Sequence, residues 1–358
     1  MPLVAHTELP TFKRLRAEGQ NVLTPERAHD QVIRELHVGL LNMMPDAAIE
    51  ATERQFFRLV GEANPIAQFY LHPFTLDELP RGERARAHID AYYEPFERLK
   101  EQGLDALIIT GANVSQPDLS LEPFWEPLIE VVEWASERVT STLCSCLATH
   151  AVMQFHNGQR RTPMGDKLWG VYSHRVMDRR HPLVNDVNTR FDVPHSRFNQ
   201  ISRAQCDRAG VKVLVESEQA GVHLAVSRDG LRIVYFQGHP EYDTISLLKE
   251  YKREVMLYAA GRRRDYPPFP SNYFAPRERA ILEEYAERLK QAMQEGRGEL
   301  PEFPEGLIVP GLDNTWHDTA EAVVGNWIGL VYQVTHRDRH IPFMEGVDPN
   351  DPLGLRGP

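Results

Sequence analysis

Residues 139–152 read VTSTLCSCLATHAV, and this stretch predicts a buried β-strand that passes directly into a helix. Its first half is rich in β-branched and apolar residues, while its second half favours a helix. Cys146 stands at the junction. In an open α/β sheet such a junction lies at the carboxyl edge, where ligands bind. The first amides of the helix can stabilise a thiolate or a developing oxyanion there.

A second junction of this kind occurs in residues 231–243, LRIVYFQGHPEYD. An apolar, aromatic run stops at a glycine, which permits an unusual backbone, and His239 and Glu241 follow. Residues two apart in an extended segment lie on the same side, so the carboxylate can orient the imidazole and stabilise its protonated form. With Cys146 they supply the nucleophile, base and orienting group of a catalytic triad. We therefore predict that the three side chains converge.

Cys146 taken alone has two other interpretations. A free cysteine is often a small buried residue that only fills space. Cys144, Cys146 and His150 together also make a weak zinc-site pattern. The two cysteines would point to opposite faces if both lay on one strand, which disfavours the metal site. We expect no bound metal.

Short apolar strands alternate with helices over residues 36–262, which predicts an α/β fold: a largely parallel sheet flanked by helices. Residues 1–35 are polar and mixed, and we expect a peripheral N-terminal arm. Residues 263–345 are richer in proline and charge. They are expected to form a C-terminal helical extension that packs on the catalytic domain, with a helix at 276–294. Residues 346–358 are expected to be a disordered tail.

The composition of the chain narrows the classes of function. Its 358 residues are 42% hydrophobic and 25% charged, as in ordinary globular proteins. A net charge of −11 argues against a general nucleic-acid binder. No apolar stretch approaches the ~18 residues of a membrane span, and the N-terminus lacks the apolar core of a signal peptide. Three cysteines are too few for a disulfide framework, which indicates a reducing, cytoplasmic location.

Several segments, in order along the chain, resemble the homoserine O-acyltransferases of the homoserine O-succinyltransferase type. They are LLNMMPDAAIEATERQFFRLVG, LDALIITGA, EWASERVTSTLCSCLATHAV, DKLWGVYSHRV, VPHSRF, YFQGHPEYD and NTWHDTAEAVVGNWIGLVYQ. The resemblance implies a fold similar to the class I glutamine amidotransferases, with a flavodoxin-like sheet. It also implies a transferase of methionine biosynthesis, located in the cytoplasm, and a homodimer.

The resemblance implies roles for the predicted triad. Cys146 matches the nucleophile that carries the acyl group as a thioester, His239 matches the general base, and Glu241 matches its partner. The backbone amide of Leu147 and the loop that begins at Gly111 are expected to hold the oxyanion.

Four further positions match residues of the family that bind or select substrates. Lys167 in DKLWG and Ser196 in PHSRF match substrate-binding positions. Arg253 in EYKREV matches the residue that holds the homoserine carboxylate, which a guanidinium can grip with two hydrogen bonds. Ser115 matches the position on which the acyl donor depends. A glutamate there accompanies acetyl-CoA, and a small residue accompanies succinyl-CoA.

The predicted function is therefore succinyl transfer from succinyl-CoA to the hydroxyl of L-homoserine by ping-pong kinetics, with no cofactor beyond this co-substrate. The alternatives are an acetyltransferase that uses acetyl-CoA, a glutamine amidotransferase-like enzyme, and a non-catalytic sensor domain. The chain departs from the family pattern at Asn113, Cys144 and Leu147. Residues 276–312 resemble an insertion before the last helix.

Overall fold

The computed structural model describes residues 3–29, 33–63, 67–295 and 300–356. The strands are β1 Leu3–Val4, β2 Val22–Leu23, β3 Glu35–Leu41, β4 Gln68–Phe74, β5 Ala106–Ile109, β6 Ser141–Ser145, β7 Thr162–Val176, β8 Arg190–Gln200, β9 Lys212–Ser217, β10 Gly221–Val226 and β11 Ile233–Phe236. The α-helices are α1 Pro10–Ala17, α2 Pro25–His29, α3 Ile49–Glu62, α4 Glu83–Tyr92, α5 Phe96–Gln102, α6 Trp125–Arg138, α7 Leu147–Asn157, α8 Arg203–Ala209, α9 Ser246–Ala259, α10 Pro276–Gln294, α11 Glu305–Ile308 and α12 His317–Val334.

All of the strands belong to one sheet, in the order β2-β1-β4-β3-β5-β6-β11-β10-β9-β7-β8. Every pairing from β2 to β11 is parallel, and every pairing from β11 to β8 is antiparallel. The predicted α/β class with a largely parallel sheet is confirmed. The long β7–β8 hairpin that closes the antiparallel side has no counterpart among the predicted strands.

The register between β6 and β11 sets the position of both predicted junctions. Cys144 lies opposite Tyr235, and Ser145 lies opposite Phe236. Because the strands are parallel neighbours, their carboxyl ends stop at the same level of the sheet. The residues that follow β6 and β11 therefore emerge side by side at one edge.

Both faces of the parallel half are buried, as expected for strands with crossover helices. One face packs against α1, α3 and α12, and the other packs against α5, α6 and α7. A third apolar cluster joins α9, α10 and α11 to Trp169 of β7. In the described part of the chain, each helix is too short or too polar to cross a lipid bilayer.

The two ends of the chain differ from the sequence-based expectation. Residues 1–35 were expected to form a peripheral arm, yet Leu3 pairs with both Val22 and Phe69 and extends the sheet. The tail 346–358 was expected to be disordered, yet Leu353 packs against the core and Arg356 donates to the Arg228 carbonyl at 3.1 Å. Within the described residues, both terminal segments therefore contact distant parts of the chain, while residues 1–2, 30–32 and 357–358 lie outside the described ranges.

The helix α12 is anchored by Trp327. This side chain is fully buried in the core of its own chain, and its indole N–H donates to Ser141 Oγ at 2.8 Å. The C-terminal extension is thereby attached to β6, the strand that leads into Cys146.

Trp327→Ala is expected to reduce the free energy of unfolding by about 3–5 kcal/mol, because it leaves a large cavity and removes the hydrogen bond that the indole donates to Ser141. Urea denaturation followed by circular dichroism measures the change. Leu307→Ala is the matched control, since Leu307 is 60% exposed, and should change stability by no more than about 0.5 kcal/mol. Equal stability of the two variants would contradict the proposed anchoring.

Candidate active site

Cys146 occupies a strained turn between β6 and α7. Its backbone has φ 52° and ψ −107°, a left-handed conformation that L-residues rarely adopt. Such a conformation costs on the order of 1–3 kcal/mol and persists only where the surroundings impose it. Here the Cys146 amide donates to the Phe236 carbonyl at 2.8 Å, which ties the turn to β11. The side chain is half-buried at the carboxyl edge of the sheet.

His239 and Glu241 meet Cys146 at this edge. Glu241 Oε1 accepts a hydrogen bond of 2.7 Å from His239 Nδ1, and both side chains are buried. Cys146 lies close enough to the imidazole to act, with Glu241, to raise the pKa of His239. The His239 amide donates to the Pro194 carbonyl at 2.8 Å, which attaches the loop to β8. The fold therefore brings these three side chains together.

The electrostatics of His239 favour its protonated form. Burial acts to lower the pKa of the imidazole. The negative charges of Glu241 and Cys146, together with hydrogen bonds to both, outweigh that effect and raise the pKa well above its usual range. A cationic imidazole held against the carboxylate of Glu241 follows from this balance.

Gly238 is required because of close packing. A Cβ at this position would lie 2.6 Å from Val193 Cγ1 and 2.9 Å from the ring of His195. The sequence suggested that this glycine permits an unusual backbone. Its φ is not positive, and the absence of a side chain is what lets β8 approach the catalytic loop.

The loop after β5 faces Cys146. A Cβ on Gly111 would lie 3.7 Å from Cys146 Cβ and 3.9 Å from the Leu147 nitrogen. Leu147 is the first residue of α7, where amides have no partner within the helix. An oxyanion formed beside the sulfur can therefore reach this amide.

Tyr242 links the triad to a neighbouring polar pocket. Its ring stacks on His239 with the ring centres 4.3 Å apart, and its hydroxyl donates to Glu250 Oε1 at 2.8 Å. The Trp316 indole N–H donates to the Tyr242 carbonyl at 2.8 Å. A residue of the C-terminal extension thereby holds the tyrosine in place.

Glu250 organises two of the residues that the family resemblance singled out. Its Oε2 accepts from Ser196 Oγ at 2.6 Å and lies 3.1 Å from Lys167 Nζ. Burial acts to raise the pKa of this carboxyl, but the charge of Lys167 and the hydrogen bonds from Ser196, Tyr242 and Lys167 lower it. The result is an ionised carboxylate in the pocket. The sequence analysis did not identify Glu250, because a glutamate on an amphipathic helix resembles a solvated charge.

Arg253 is not part of this hydrogen-bonded cluster. Its side chain is 56% exposed and lies 3.4 Å from a carboxylate oxygen of Glu254. It follows Glu250 by three residues on α9, so the two side chains leave the helix on the same side.

Ser115 is bound to a buried carboxylate that the sequence analysis missed. Glu122 accepts from the Ser115 amide at 2.6 Å and from its hydroxyl at 3.3 Å. The Gln116 amide donates to the same carboxylate at 2.6 Å. The loop that carries Ser115 is therefore folded around Glu122.

Arg197 is a buried cation near the nucleophile, and the sequence analysis missed it as well. Its guanidinium donates to His195 Nδ1 at 3.2 Å and to the carbonyl of Asn199 at 2.8 Å. Burial lowers its pKa to about 10, while the charges of Cys146 and Tyr172 act to raise it. The guanidinium is thus charged at neutral pH, and neutral groups accept its hydrogen bonds.

The alternative metal site at Cys146 does not form. Cys144 is buried in the core, and burial raises the pKa of its thiol. His150 is buried against Gln237, whose Oε1 lies 3.1 Å from its Nε2. Within the described ranges, the groups that bring three potential ligand atoms within 4.8 Å of one another do not include these residues.

Comparison with known proteins identifies relatives along almost the whole chain. A family model described as homoserine O-succinyltransferase matches residues 2–337. A protein named homoserine O-succinyltransferase from Allochromatium vinosum is 69% identical over 355 residues, which cover 99% of both chains. A relative of the same name from Thiobacillus denitrificans is 68% identical over 99% of this chain and 100% of its own.

Solved structures resemble this fold only distantly. A glutamine amidotransferase from Thermotoga maritima has a TM-score of 0.45 and 11% identity, covering 83% of this chain and 97% of its own. One from Methylobacillus flagellatus has a TM-score of 0.44 and 14% identity, covering 83% and 95%.

Glu241→Gln is expected to lower the pH at which His239 loses its proton. The carboxylate raises the pKa of the imidazole, whereas burial lowers it and persists in the variant. The midpoint should therefore move to lower pH by ~1–3 units.

Proton–carbon NMR of histidine-labelled protein measures this midpoint, with a His239→Gln sample to assign the resonance. The exposed His340 beside Asp338 serves as an internal control and should titrate identically in both proteins. An unchanged midpoint for His239 would mean that Glu241 does not set its charge.

Proposed function

The chain belongs to the homoserine O-succinyltransferase family, and from this premise we propose that it transfers a succinyl group from succinyl-CoA to the hydroxyl of L-homoserine. The observation that carries the proposal is the grouping of Cys146 with the hydrogen-bonded pair His239 and Glu241 at the carboxyl edge of β6 and β11. This grouping suits acyl transfer through a covalent thioester. The product, an O-acylated homoserine, belongs to methionine biosynthesis.

The first half-reaction loads the enzyme. The Cys146 thiolate attacks the thioester carbonyl of succinyl-CoA, and the resulting oxyanion is held by the Leu147 amide and the loop at Gly111. The bond from carbon to the CoA sulfur then breaks. His239 gives its proton to the departing CoA thiolate, and the succinyl group stays on the Cys146 sulfur.

The second half-reaction transfers the acyl group. The neutral His239 takes the proton of the homoserine hydroxyl as its oxygen attacks the acyl-enzyme. The carbon–sulfur bond breaks, and Cys146 leaves as a thiolate beside the newly formed imidazolium. The charge of Glu241 stabilises that imidazolium in both half-reactions. The buried cation Arg197 adds positive charge to the surroundings of Cys146.

The pocket around Glu250 supplies the contacts for the amino acid. Homoserine carries an ammonium and a carboxylate, and α9 offers Glu250 and Arg253 on the same side. We assign the ammonium to Glu250 and the carboxylate to Arg253. Lys167 and Ser196 act in substrate binding by holding the Glu250 carboxylate in position. This arrangement directs the hydroxyl of the substrate toward His239.

The choice of succinyl-CoA over acetyl-CoA follows from the loop at Ser115. A small side chain there leaves room for the succinyl carboxylate, whereas a glutamate would fill that room and add a second carboxylate beside Glu122, which would repel the succinyl group. The reaction as proposed needs no cofactor beyond the acyl-CoA co-substrate. The cytoplasmic location and the homodimer are predictions from the sequence. Trp327 of α12 is buried inside its own chain and is not available for a dimer contact.

The acyl-enzyme intermediate provides the direct test of this function. Incubation with succinyl-CoA alone should add the mass of one succinyl group to the protein, and subsequent L-homoserine should remove it and yield O-succinylhomoserine. Cys146→Ala should show neither the adduct nor turnover, because the nucleophile is gone. Intact-protein mass spectrometry and analysis of the product measure both steps.

The control for this test is Cys206→Ala, which removes a buried thiol far from β6 in sequence. It should keep the adduct and the turnover. Loss of the adduct only in Cys206→Ala, or turnover by Cys146→Ala, would overturn the assignment. Ammonia release from glutamine without acyl transfer would instead identify an amidotransferase.

Ser115→Glu is expected to shift the acyl preference toward acetyl-CoA. A new carboxylate beside the acyl group repels the carboxylate of succinyl and has no like charge to repel in acetyl. The ratio of kcat/KM for succinyl-CoA to that for acetyl-CoA should fall by about tenfold or more, which corresponds to about 1.4 kcal/mol.

The matched control is Ser120→Glu, since Ser120 is exposed in the same connection between β5 and α6. It adds the same charge away from the proposed acyl position and should leave the ratio unchanged. An equal fall in both variants would point to a general charge effect rather than a specificity position.

A further inference from the structure

A second cluster of chemically active side chains lies away from the triad. It consists of His6 after β1, His37 in β3, His72 in β4 and Glu94 after α4. In the sheet, β4 is separated from β6 by β3 and β5. The proposed acyl transfer uses none of these residues.

His6 presents a bare nitrogen to this cluster. Its Nδ1 lies 3.1 Å from the Val4 carbonyl, which can only accept, so the proton must be on Nδ1. Nε2 is then an unprotonated acceptor. It is buried, and no hydrogen-bond partner for it occurs among the described residues. A buried acceptor without a partner costs about 1–3 kcal/mol. An imidazole oriented by a backbone carbonyl through one nitrogen is the usual arrangement of a metal ligand.

His72 lies between two polar partners. Its Nδ1 is 2.6 Å from Glu94 Oε1, and its Nε2 is 2.9 Å from His37 Nδ1. The other nitrogen of His37 is also buried without a hydrogen-bond partner in the described ranges, and Glu35 Oε2 is 3.6 Å from it. Two imidazole nitrogens of one cluster are therefore available to a ligand.

We propose that His6, His72 and Glu94 bind a divalent metal ion of the zinc class. One ligand atom from each of these residues lies within 4.8 Å of the others. Zinc bonds of ~2.1 Å in a tetrahedron place neighbouring ligands roughly 3.4 Å apart, so small rotations of the side chains close the site. His6 binds through Nε2 and His72 through Nδ1. His72 Nε2–H then donates to His37 Nδ1, which orients the ligand from behind.

The surroundings allow an ion to enter. The cluster lines an open cavity of about 540 Å³ that also contains Arg98 and Arg339. Arg98 Nε is 3.5 Å from the second oxygen of Glu94, but its side chain is 62% exposed and can move into solvent. The cavity leaves a fourth coordination position for water.

The ion would connect segments that are far apart in sequence. His6 follows the two-residue strand β1, while His72 and Glu94 belong to β4 and the connection between α4 and α5. An ion that binds only the folded chain stabilises it. The gain in the free energy of unfolding then grows with the logarithm of the zinc concentration. We therefore assign the site a structural role at the side of the sheet that the N-terminal strands β1 and β2 form.

The test uses the full chain with Cys146→Ala, so that the reactive thiol cannot bind zinc, after treatment with EDTA. Titration with ZnCl₂ in competition with a chromogenic chelator should give one zinc ion per chain, and zinc should raise the melting temperature. His6→Gln should weaken the affinity at least about tenfold, since even removal of an orienting residue costs 10–100-fold. His37→Ala should weaken it by roughly 10–100-fold.

The matched control is His317→Gln. His317 lies in the other group with three potential ligand atoms close together, beside Glu62 and Glu321, and its loss should leave the affinity unchanged. If His6→Gln does not fold, Glu94→Gln must show the same loss. Absence of zinc binding, or binding lost in His317→Gln and kept in His6→Gln, overturns the proposal. None of these measurements uses acyl-transfer activity, so their outcome is independent of the proposed enzymatic function.

Discussion

The candidate site depends on the parallel pairing of β6 with β11. These neighbouring strands end at the same level of the sheet. Their pairing alone therefore places Cys146 and His239 at one edge. The hydrogen bond from the Cys146 amide to the Phe236 carbonyl then ties the strained turn to the strand that carries the base. A shift of this register by one residue would turn the side chains of β11 to the opposite face and break the alignment.

A single tyrosine connects the candidate triad to the pocket around Glu250. Tyr242 stacks on the imidazole, donates to Glu250 and receives the Trp316 indole at its carbonyl. Movement of the C-terminal extension would therefore reach both the base and the pocket through one rigid ring. Residues that follow the α/β core thereby contact a site that is built by residues of the core.

The sequence predicts those parts of the molecule that depend on local pattern. Strand ends at Cys146 and His239 are recognisable because each follows an apolar run, and the helix at 276–294 matches α10. The hairpin β7–β8 is missed because its first strand includes Pro163 and Gly165 and lacks regular alternation.

Other features depend on contacts between distant segments. Glu122, Arg197 and Glu250 resemble solvated charges in sequence, and only the folded chain brings them against the proposed site. The N-terminal strands are two residues long, too short for any periodic signal, and become strands because a sheet edge receives them.

The left-handed backbone at Cys146 has a consequence for sequence drift. Glycine would fit that turn with less steric conflict, so the cysteine persists there against the preference of the backbone. In a duplicated gene whose product no longer needs enzymatic activity, we expect glycine to replace Cys146 while the rest of the fold is retained.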